Sequence, residues 1–237
     1  MAAGNNPAAL PLLLAVCSIV VMAYSWSSSP ESVALWWSAH GHPVLYGPRW
    51  LGLLAFPFLQ IVIPYILYQV ACRDERLDGQ SGESANAIAN IIALPSVLLF
   101  VEYVLVYLPT VLSSSQDFLP RIFTSNIAIW ALFWLGYNLQ YVEPNSSIGV
   151  PVFVPLSQDD IWMRTHQRAG LILMGFGLIL FVFSLACPIG VPYMAVSLVI
   201  WLGAYVLVIL DSYMICTIEN TAIVRAENLR QPLTSEA

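Results

Sequence analysis

The sequence predicts an all-α integral membrane protein with six transmembrane helices, arranged as two three-helix halves with both termini in the cytoplasm. Hydrophobic residues make up 59% of the 237 residues and charged residues only 9%, whereas soluble domains carry about 25% charged residues. The mean hydropathy is +0.76. Six apolar runs reach the roughly 20 residues that a helix needs to cross the hydrocarbon core; they lie near residues 8–25, 50–71, 88–110, 122–141, 169–187 and 190–211.

The first run is interpreted as a retained anchor, because no Lys or Arg precedes it and no convincing small-residue cleavage site follows it. Orientation follows from the arginines, since the chain has no lysine and basic residues near span ends mark the cytoplasmic side. Six of the eight arginines fall on the side of the termini, which predicts cytoplasmic termini and a cell-membrane location. These are Arg73, Arg76, Arg164, Arg168, Arg225 and Arg230, against Arg49 and Arg121 on the other side.

Polar connections divide the chain. Residues 1–80 form an N-terminal half with an outer loop at 26–49, and the third span, 88–110, is expected to pack with it. Residues 111–215 form a second membrane domain, and residues 216–237 a cytoplasmic tail. The connector at 72–87 mixes charges of both signs with Gly and Ser, which is typical of a solvated loop.

The outer loop is rich in tryptophan and is expected to lie on the bilayer surface, where amphipathic rings are favoured. Its glycines and prolines predict turns. Arg49 marks the entry to the second span. The tryptophans are Trp26, Trp36, Trp37 and Trp50.

The inner loop before the fifth span ends in a predicted helix start. Ser157 and Asp160 have capping-box spacing, which predicts a helix from Ser157. Asp160, Arg164 and Arg168 follow at intervals of four residues and share one face of this helix. The same spacing places Trp162 and His166 on another face, just above the lipid, with Thr165 beside them.

An ionisable side chain inside a span is costly and normally faces a partner or a cavity. Glu102 lies well inside the third span. Two interpretations stay open: a carboxyl that is hydrogen-bonded between helices, or a functional group. Gln60, Asn90 and Asn126 are its candidate partners. Carbonyls freed by Pro57, Pro64 and Pro95 are expected to be paired inside the bundle.

Several classes of function receive no support. The net charge of −6 comes from short loops, and nucleic-acid binding is not expected. The four cysteines lack paired spacing, so no disulfide or zinc site is predicted. His40 and His42 flank Gly41, but too few further ligands lie nearby for a metal site. No nucleophile or oxyanion site can be identified, so we expect neither an enzyme nor a cofactor.

The stretch "EPNSSIGVPVFVPLSQDDIWMRTHQRAGLILMG" resembles the signature of the SdpI bacteriocin-immunity family. The family pattern has a Pro-Asn pair, a glycine, an extended stretch, and then a Trp followed by a basic residue, Thr and His before a membrane helix. Asn138 also matches an asparagine of the preceding span. The matching residues of the stretch are Pro144, Asn145, Gly149, Leu156, Trp162, Arg164, Thr165, His166 and Gly170.

The first half resembles the domain of unknown function that commonly precedes the SdpI domain. That pattern has a proline-containing segment, an aromatic residue, a Gly-x-Pro turn and a basic residue before the next span. Pro30, Trp36, Trp37, Gly41, Pro43, Gly47, Arg49 and Trp50 match it.

The chain departs from the SdpI pattern after the glycine. Where the family commonly has Arg-Thr-Pro-Trp-Thr, this chain has residues 151–155, Pro-Val-Phe-Val-Pro. The arginine and both hydroxyls are lost. In the first domain, Trp36 and Ser38 replace the usual His or Asn.

The resemblance implies protection against a secreted, membrane-active peptide toxin, with signalling to a cytoplasmic repressor-like protein. The Trp-rich outer loop would recognise the toxin, and the Trp162–Arg168 face the inner partner. Two other classes stay open. A small transporter would use Glu102 and the proline-broken helices, and a structural subunit would bind a larger membrane complex through its apolar surface.

Overall fold

A computed structural model describes residues 8–37, 43–77, 79–112, 119–150, 159–186 and 191–230. Over these residues the chain forms six α-helices, a short 3₁₀ helix at Glu75–Leu77 and one two-stranded sheet. Helix α3 contains a π turn at Tyr103–Tyr107. The helices are α1 (Ala9–Ser25), α2 (Arg49–Ala71), α3 (Gly82–Leu112), α4 (Leu119–Leu139), α5 (Asp159–Ala186) and α6 (Val191–Arg230).

The helices have the length and composition of membrane helices. Four are long and apolar enough to cross a bilayer: α2, α3, α5 and, over Ala195–Glu219, α6. Two shorter apolar helices are Ala9–Ser25 and the Ile127–Leu139 part of α4. Many large apolar side chains on the outward faces are exposed, as expected where lipid is the solvent. The protein is therefore an α-helical membrane protein by its architecture, whereas six spans and cytoplasmic termini stay predictions.

The outer loop is not only a surface loop, because it contains an unpredicted β-hairpin. Strands β1 (Ser32–Trp37) and β2 (Pro43–Pro48) pair antiparallel. The register shifts around Leu35, between the pairs Ala34↔Tyr46 and Trp36↔Leu45. Such a bulge bends the strand. We call the end of the bundle that carries these strands the hairpin end, and the opposite end, with residues 72–84 and 140–150, the polar end.

Neighbouring helices pack in sequence order. Helices α1, α2 and α3 all contact one another, α4 packs on α5, and α5 packs on α6. Contact between the two groups is made by α3 and α4. Helices α4 and α5 approach closely at two glycines, where a Cβ on Gly136 would lie 2.7 Å from the carbonyl oxygen of Gly170. Small residues at such a crossing let two backbones approach in a membrane.

The carbonyl freed by Pro64 is paired inside the bundle, as predicted. Pro64 has no N–H, so the carbonyl of Gln60, four residues earlier, loses its helical donor. The Ser96 hydroxyl of α3 donates to this oxygen. Ser18 of α1 donates to the Gln60 side-chain oxygen at 2.9 Å. Three helices are thus joined at one buried glutamine, which is 0% exposed.

The last helix is much longer than the bilayer is thick. Its 40 residues correspond to about 60 Å at 1.5 Å per residue, against a hydrocarbon core of about 30 Å. The helix therefore continues from the predicted sixth span well into the segment that was predicted to be the tail. Arg230 is the last residue of the chain that the structure describes.

Candidate functional site

The predicted Pro-Asn pair builds a tight turn at the polar end. Asn145 is 1% exposed, and its side-chain oxygen accepts hydrogen bonds from the backbone N–H groups of Ser147 at 3.0 Å and Ile148 at 2.6 Å. Its amide donates to the Glu143 carbonyl at 2.9 Å. Asparagine favours turns because its side chain can replace a backbone partner in this way. Asn145 therefore shapes the path of residues 143–150.

Trp162 and His166, one turn apart on α5, stack on each other beneath this turn. Their ring centroids are 4.1 Å apart and their planes differ by 17°. The Trp162 indole N–H donates to the Val142 carbonyl at 2.9 Å. The Val150 backbone N–H donates to His166 Nε2 at 3.0 Å. We call the unit formed by Asn145, Gly149, Val150, Trp162 and His166 the signature lock.

The hydrogen bonds of His166 define its protonation state. Nε2 accepts a hydrogen bond from the Val150 backbone N–H, so this nitrogen carries no hydrogen of its own. Nδ1 lies 2.9 Å from the Trp162 carbonyl oxygen, which can only accept, so Nδ1 carries the hydrogen. The ring is therefore neutral, and a proton on Nε2 would break the bond to Val150.

Gly149 is where the turn crosses the stacked rings. A Cβ at this position would lie 2.5 Å from His166 Nε2 and 3.0 Å from the Trp162 ring. Distances this short cannot be tolerated without movement of the backbone or the rings. The glycine of the family pattern is thus required here by a close approach.

The predicted face of α5 is not an open surface for a partner. Trp162 is 5% exposed, and both Thr165 and His166 are 0% exposed, because the chain from Val142 to Val150 and the neighbouring helices cover them. These three residues therefore form no exposed surface. Their assignment to an inner partner stays a prediction.

The two arginines of the same region bind α6. Arg164 lies 2.8 Å from Glu219, and Arg168 lies 2.6 Å from Asp211. The Asp211 side chain is 8% exposed and that of Arg168 60%, so the second pair is the less solvated one. The helical spacing of the arginines was predicted, but their acidic partners were not. The predicted start of α5 at Ser157 lies outside the described residues, as do residues 151–156.

The connector between α2 and α3 is held by the inner loop. Asp74, 8% exposed, accepts hydrogen bonds from both the backbone N–H and the hydroxyl of Ser146. The backbone N–H of Ser81 donates to the Glu143 carboxylate at 3.1 Å, and the Glu143 N–H donates to the Ser84 hydroxyl at 2.9 Å. We call Asp74, Ser81, Ser84, Glu143 and Ser146 the polar seam. The connector was expected to be a solvated loop, but these hydrogen bonds show that it is partly packed.

The hydrogen bonds of the polar seam lower the pKa of the Asp74 carboxyl. Burial alone would raise its pKa, but hydrogen bonds from the Ser146 N–H and hydroxyl, the Arg76 N–H and Ser147 outweigh burial and lower the pKa. Asp74 is thus held as a carboxylate between the two halves.

Arg49 fastens the hairpin to α1. Its guanidinium donates to the carbonyls of Trp26 and Ser29, both at 3.1 Å, and lies 4.9 Å from the Trp26 ring centroid. Its backbone N–H donates to the Glu31 carbonyl at 2.9 Å. In the described chain Arg49 therefore has a structural role, because it holds the hairpin against the end of α1. The predicted role of Arg49 in binding stays a prediction.

The hairpin presents apolar side chains outwards. Val44, Leu45 and Tyr46 of β2 are 59%, 55% and 54% exposed. The opposite strand packs inwards, with Val33 2% exposed. Trp36 and Trp37 belong to β1 and Pro43 begins β2, whereas Gly41, His40 and His42 lie outside the described residues.

Glu102 lies half-buried at the start of the π turn of α3. Its predicted partners are engaged elsewhere: Gln60 binds Ser18, and Asn90 donates to Asn138 at 2.9 Å. Asn126 has no described side chain. Next to Glu102, Tyr103 is fully buried against Phe56, with ring centroids 5.2 Å apart.

Among the residues that the structure describes, no group of three or more His, Cys, Asp or Glu side chains could hold a metal ion. Cys17, Cys72 and Cys216 are free thiols, and Cys187 lies outside the described chain. The absence of a cofactor and of enzymatic activity stays a prediction.

A comparison with protein families finds a domain of unknown function, DUF1648, over residues 13–61. The match covers α1, the hairpin and the first half of α2. It supports the predicted resemblance of this region, since the domain often occurs with SdpI-type membrane proteins. Neither the curated proteins nor the solved structures gave a match. The SdpI resemblance of residues 144–170 stays a prediction.

Proposed function

We propose that this protein is an SdpI-like membrane immunity and sensor protein, which protects a cell from a secreted, membrane-active peptide toxin. The observation that carries the proposal is the signature lock. Four residues that match the family pattern, Asn145, Gly149, Trp162 and His166, meet in this one unit although they lie up to 21 positions apart in the sequence. The DUF1648 match in the first half supports the same class.

Toxin recognition is assigned to the hairpin end. The three exposed apolar residues of β2 and the 55% exposed Trp50 offer a surface for an apolar peptide, and aromatic and apolar anchors commonly carry such binding. The surface continues into the outward faces of the helices. A peptide that partitions into the bilayer would therefore reach it from the lipid.

Signalling is assigned to the polar end. The polar seam joins the two halves there, so a toxin that shifts one half against the other would strain these hydrogen bonds. Release of Asp74 or Glu143 would change the charge presented to the cytoplasm. A ligand acts in this way only if it binds one arrangement better than the other.

The test is a susceptibility assay in a sensitive bacterium that expresses the protein and is challenged with SdpC-type toxin peptides. Leu45→Ser and Tyr46→Ser remove apolar contacts from the hairpin without touching the core. Leu185→Ser is the matched control, since Leu185 is 74% exposed and lies at the same end of the bundle on α5. We expect protection to fall in the hairpin variants and to persist in the control, at equal membrane levels.

Absence of protection by the correctly inserted wild-type protein would overturn the proposal. Copurification of stoichiometric membrane subunits would then favour a structural subunit. The buried His166 is unsuitable for this test, because its substitution would disturb the fold.

A transporter is the second candidate, and the position of Glu102 beside a π turn favours it. π turns inside α-helices frequently mark functional sites, and intramembrane carboxyls often line pathways. A transporter predicts that Glu102→Cys reacts with a water-soluble thiol reagent and that Glu102→Gln loses activity. The immunity function predicts that Glu102→Gln protects as well as the wild type.

A further inference from the structure

Glu102 lies within the apolar length of α3. The helix has 31 residues, Gly82–Leu112, and its middle is Val97. Glu102 is five residues from this middle, which corresponds to about 8 Å at 1.5 Å per residue. With the roughly 30 Å hydrocarbon core centred on the helix, the carboxyl lies well inside the membrane.

The residues that the structure describes leave the Glu102 carboxyl without a partner. They give it no hydrogen bond and no ion pair, and burial is the one influence that they exert on it. Gln60 and Asn90, which were predicted to bind it, form hydrogen bonds with Ser18 and Asn138 instead. The carboxyl is therefore not used to hold the described helices together.

The titratable side chains of the surrounding helices do not control the proton of Glu102. Tyr103 and Tyr107 of α3 pack on Phe56 of α2, with ring centroids 5.2 and 4.9 Å from the Phe56 ring. Within the described parts of α1, α2 and α4 no charged side chain acts on the carboxyl. The titratable groups of these parts are Cys17, Tyr24, Arg49, Tyr65, Tyr68 and Tyr137.

Glu102 belongs to a partly exposed face of α3. It is half-buried, as is Leu98 one turn before it, and Leu105, three residues after it, is 46% exposed. Side chains three or four residues apart share a helix face. This face therefore reaches the outer surface of the described structure, and at the level of the hydrocarbon core that surface meets lipid.

These surroundings favour the neutral acid. An ionised carboxylate without a counter-charge is very costly in an apolar medium, and such a group retains a proton instead. We propose that Glu102 is a protonated carboxyl at the lipid face of α3, which binds and releases one proton inside the membrane and is open to modification by lipid-soluble carbodiimides. The inference does not rest on toxin binding, since Glu102 belongs neither to the hairpin surface nor to the polar seam.

Dicyclohexylcarbodiimide tests the proposal, because this lipid-soluble reagent needs the carboxyl in its acid form. The acid O–H protonates one nitrogen of the carbodiimide, and the carboxylate oxygen then bonds to the central carbon as an O-acylisourea. Transfer of the acyl group to nitrogen gives a stable N-acylurea. Nothing leaves, so the labelled peptide gains the mass of one carbodiimide molecule.

The full chain in phosphatidylcholine vesicles is treated with this reagent at neutral pH, digested and mapped by mass spectrometry. We expect several-fold more label on Glu102 than on Glu83, an exposed glutamate in the first turn of the same helix. Labelling of Glu102 should decline as the buffer becomes alkaline and the acid form is lost. Equal labelling of the two glutamates, no label on Glu102, or labelling independent of pH would overturn the proposal.

A water-soluble carbodiimide with glycine ethyl ester distinguishes lipid from a water-filled pathway. Glu83 should react with this pair of reagents, and Glu102 should not. Reaction of Glu102 would show water at this position, which would overturn the lipid-facing assignment and favour the transporter.

Glu102→Gln is the matched variant, since an amide of the same shape has no acid proton. It should lose the label at this position and keep the wild-type melting temperature in micelles, because one neutral group replaces another. Glu83→Gln should leave the label on Glu102 unchanged. A lower melting temperature of Glu102→Gln would show that the carboxylate is needed in the folded chain and would count against the proposal. Protection against the toxin is measured separately, so failure of the immunity function would leave these results unaffected.

Discussion

Gly149 and His166 show how single residues of the signature act. His166 offers one nitrogen to a backbone N–H and the other to a backbone carbonyl, so its neutral ring joins the inner loop to α5. Gly149 is needed because the loop passes directly over that ring. A residue type that suits acid–base chemistry is therefore used here as a structural connector.

Gly149→Ala should destabilise the signature lock. The new methyl group meets His166 and the Trp162 ring, and overpacking of this kind costs about 1–3 kcal/mol. The free energy of unfolding in detergent micelles measures the effect. Gly82→Ala is the control, because a Cβ at Gly82 meets nothing within 4 Å. Equal stability of the two variants would contradict the proposed close packing.

The sequence predicted the shared face of Trp162 and His166 but not its burial. Helical periodicity places residues four apart on one side. It contains no information about which distant segment covers that side. The cover is provided by Val142 and Val150, and this contact depends on the turn at Asn145. Asn145 forms this turn and Gly149 lets it pass over the rings. Both roles depend on a contact between segments that helical periodicity does not predict.

At the scale of elements, long apolar runs were the most reliable signal. Helices α2 and α3 include the whole of the predicted runs, and α5 includes residues 169–186 of the run at 169–187. A 20-residue apolar segment has few alternatives in a membrane. The hairpin was missed, although "SVALWW" and "PVLY" are rich in β-branched and aromatic residues and are separated by a Gly-containing stretch, a recognised hairpin signal. The abundance of tryptophan favoured the interfacial-loop interpretation instead.

Ser96 and Pro64 should show strong thermodynamic coupling. Ser96→Ala removes the donor to the Gln60 carbonyl, and an unpaired buried acceptor costs about 1–3 kcal/mol. Pro64→Ala restores the helical N–H that can bind the same carbonyl. In a double-mutant cycle of unfolding free energies, Ser96→Ala should therefore cost less in the Pro64→Ala background. Additive effects would show that the two residues do not share this oxygen.

At the scale of the whole molecule, two regions tie the halves together. The polar seam joins residues 74–84 to residues 143–146 by hydrogen bonds, and α3 packs on α4. The seam involves short polar segments far apart in sequence, with separations of 59 to 72 residues. Pattern analysis of one sequence cannot pair such segments, which is why the connector was predicted to be solvated.

Asp74→Asn should weaken the seam and reduce the acid sensitivity of the protein. An amide nitrogen in place of the accepting oxygen would face the two Ser146 donors, at a cost of about 1–3 kcal/mol. The folded pKa of Asp74 is lowered, so its stabilising contribution is complete above the ordinary value of about 3.9. That contribution is lost as the pH falls through the lower folded pKa.

Unfolding free energies measured from pH 7 down through the acid range test this prediction. The wild type should lose stability below about pH 4, and the Asp74→Asn curve should be flatter. Glu75→Gln, a change at the exposed neighbouring residue, is the control and should follow the wild type. A wild-type slope retained in Asp74→Asn would assign the acid sensitivity to other carboxylates.

The ion pairs between α5 and α6 join residues that are synthesised at different times. Arg164 and Arg168 are synthesised 55 and 43 residues before Glu219 and Asp211. On the predicted orientation, both arginines would help to retain their end of α5 in the cytoplasm before Asp211 and Glu219 have been synthesised. After α6 has followed, the same charges are neutralised and become part of the contact between the two helices. If the predicted orientation holds, the same two side chains would first direct the insertion of α5 and later hold α5 and α6 together.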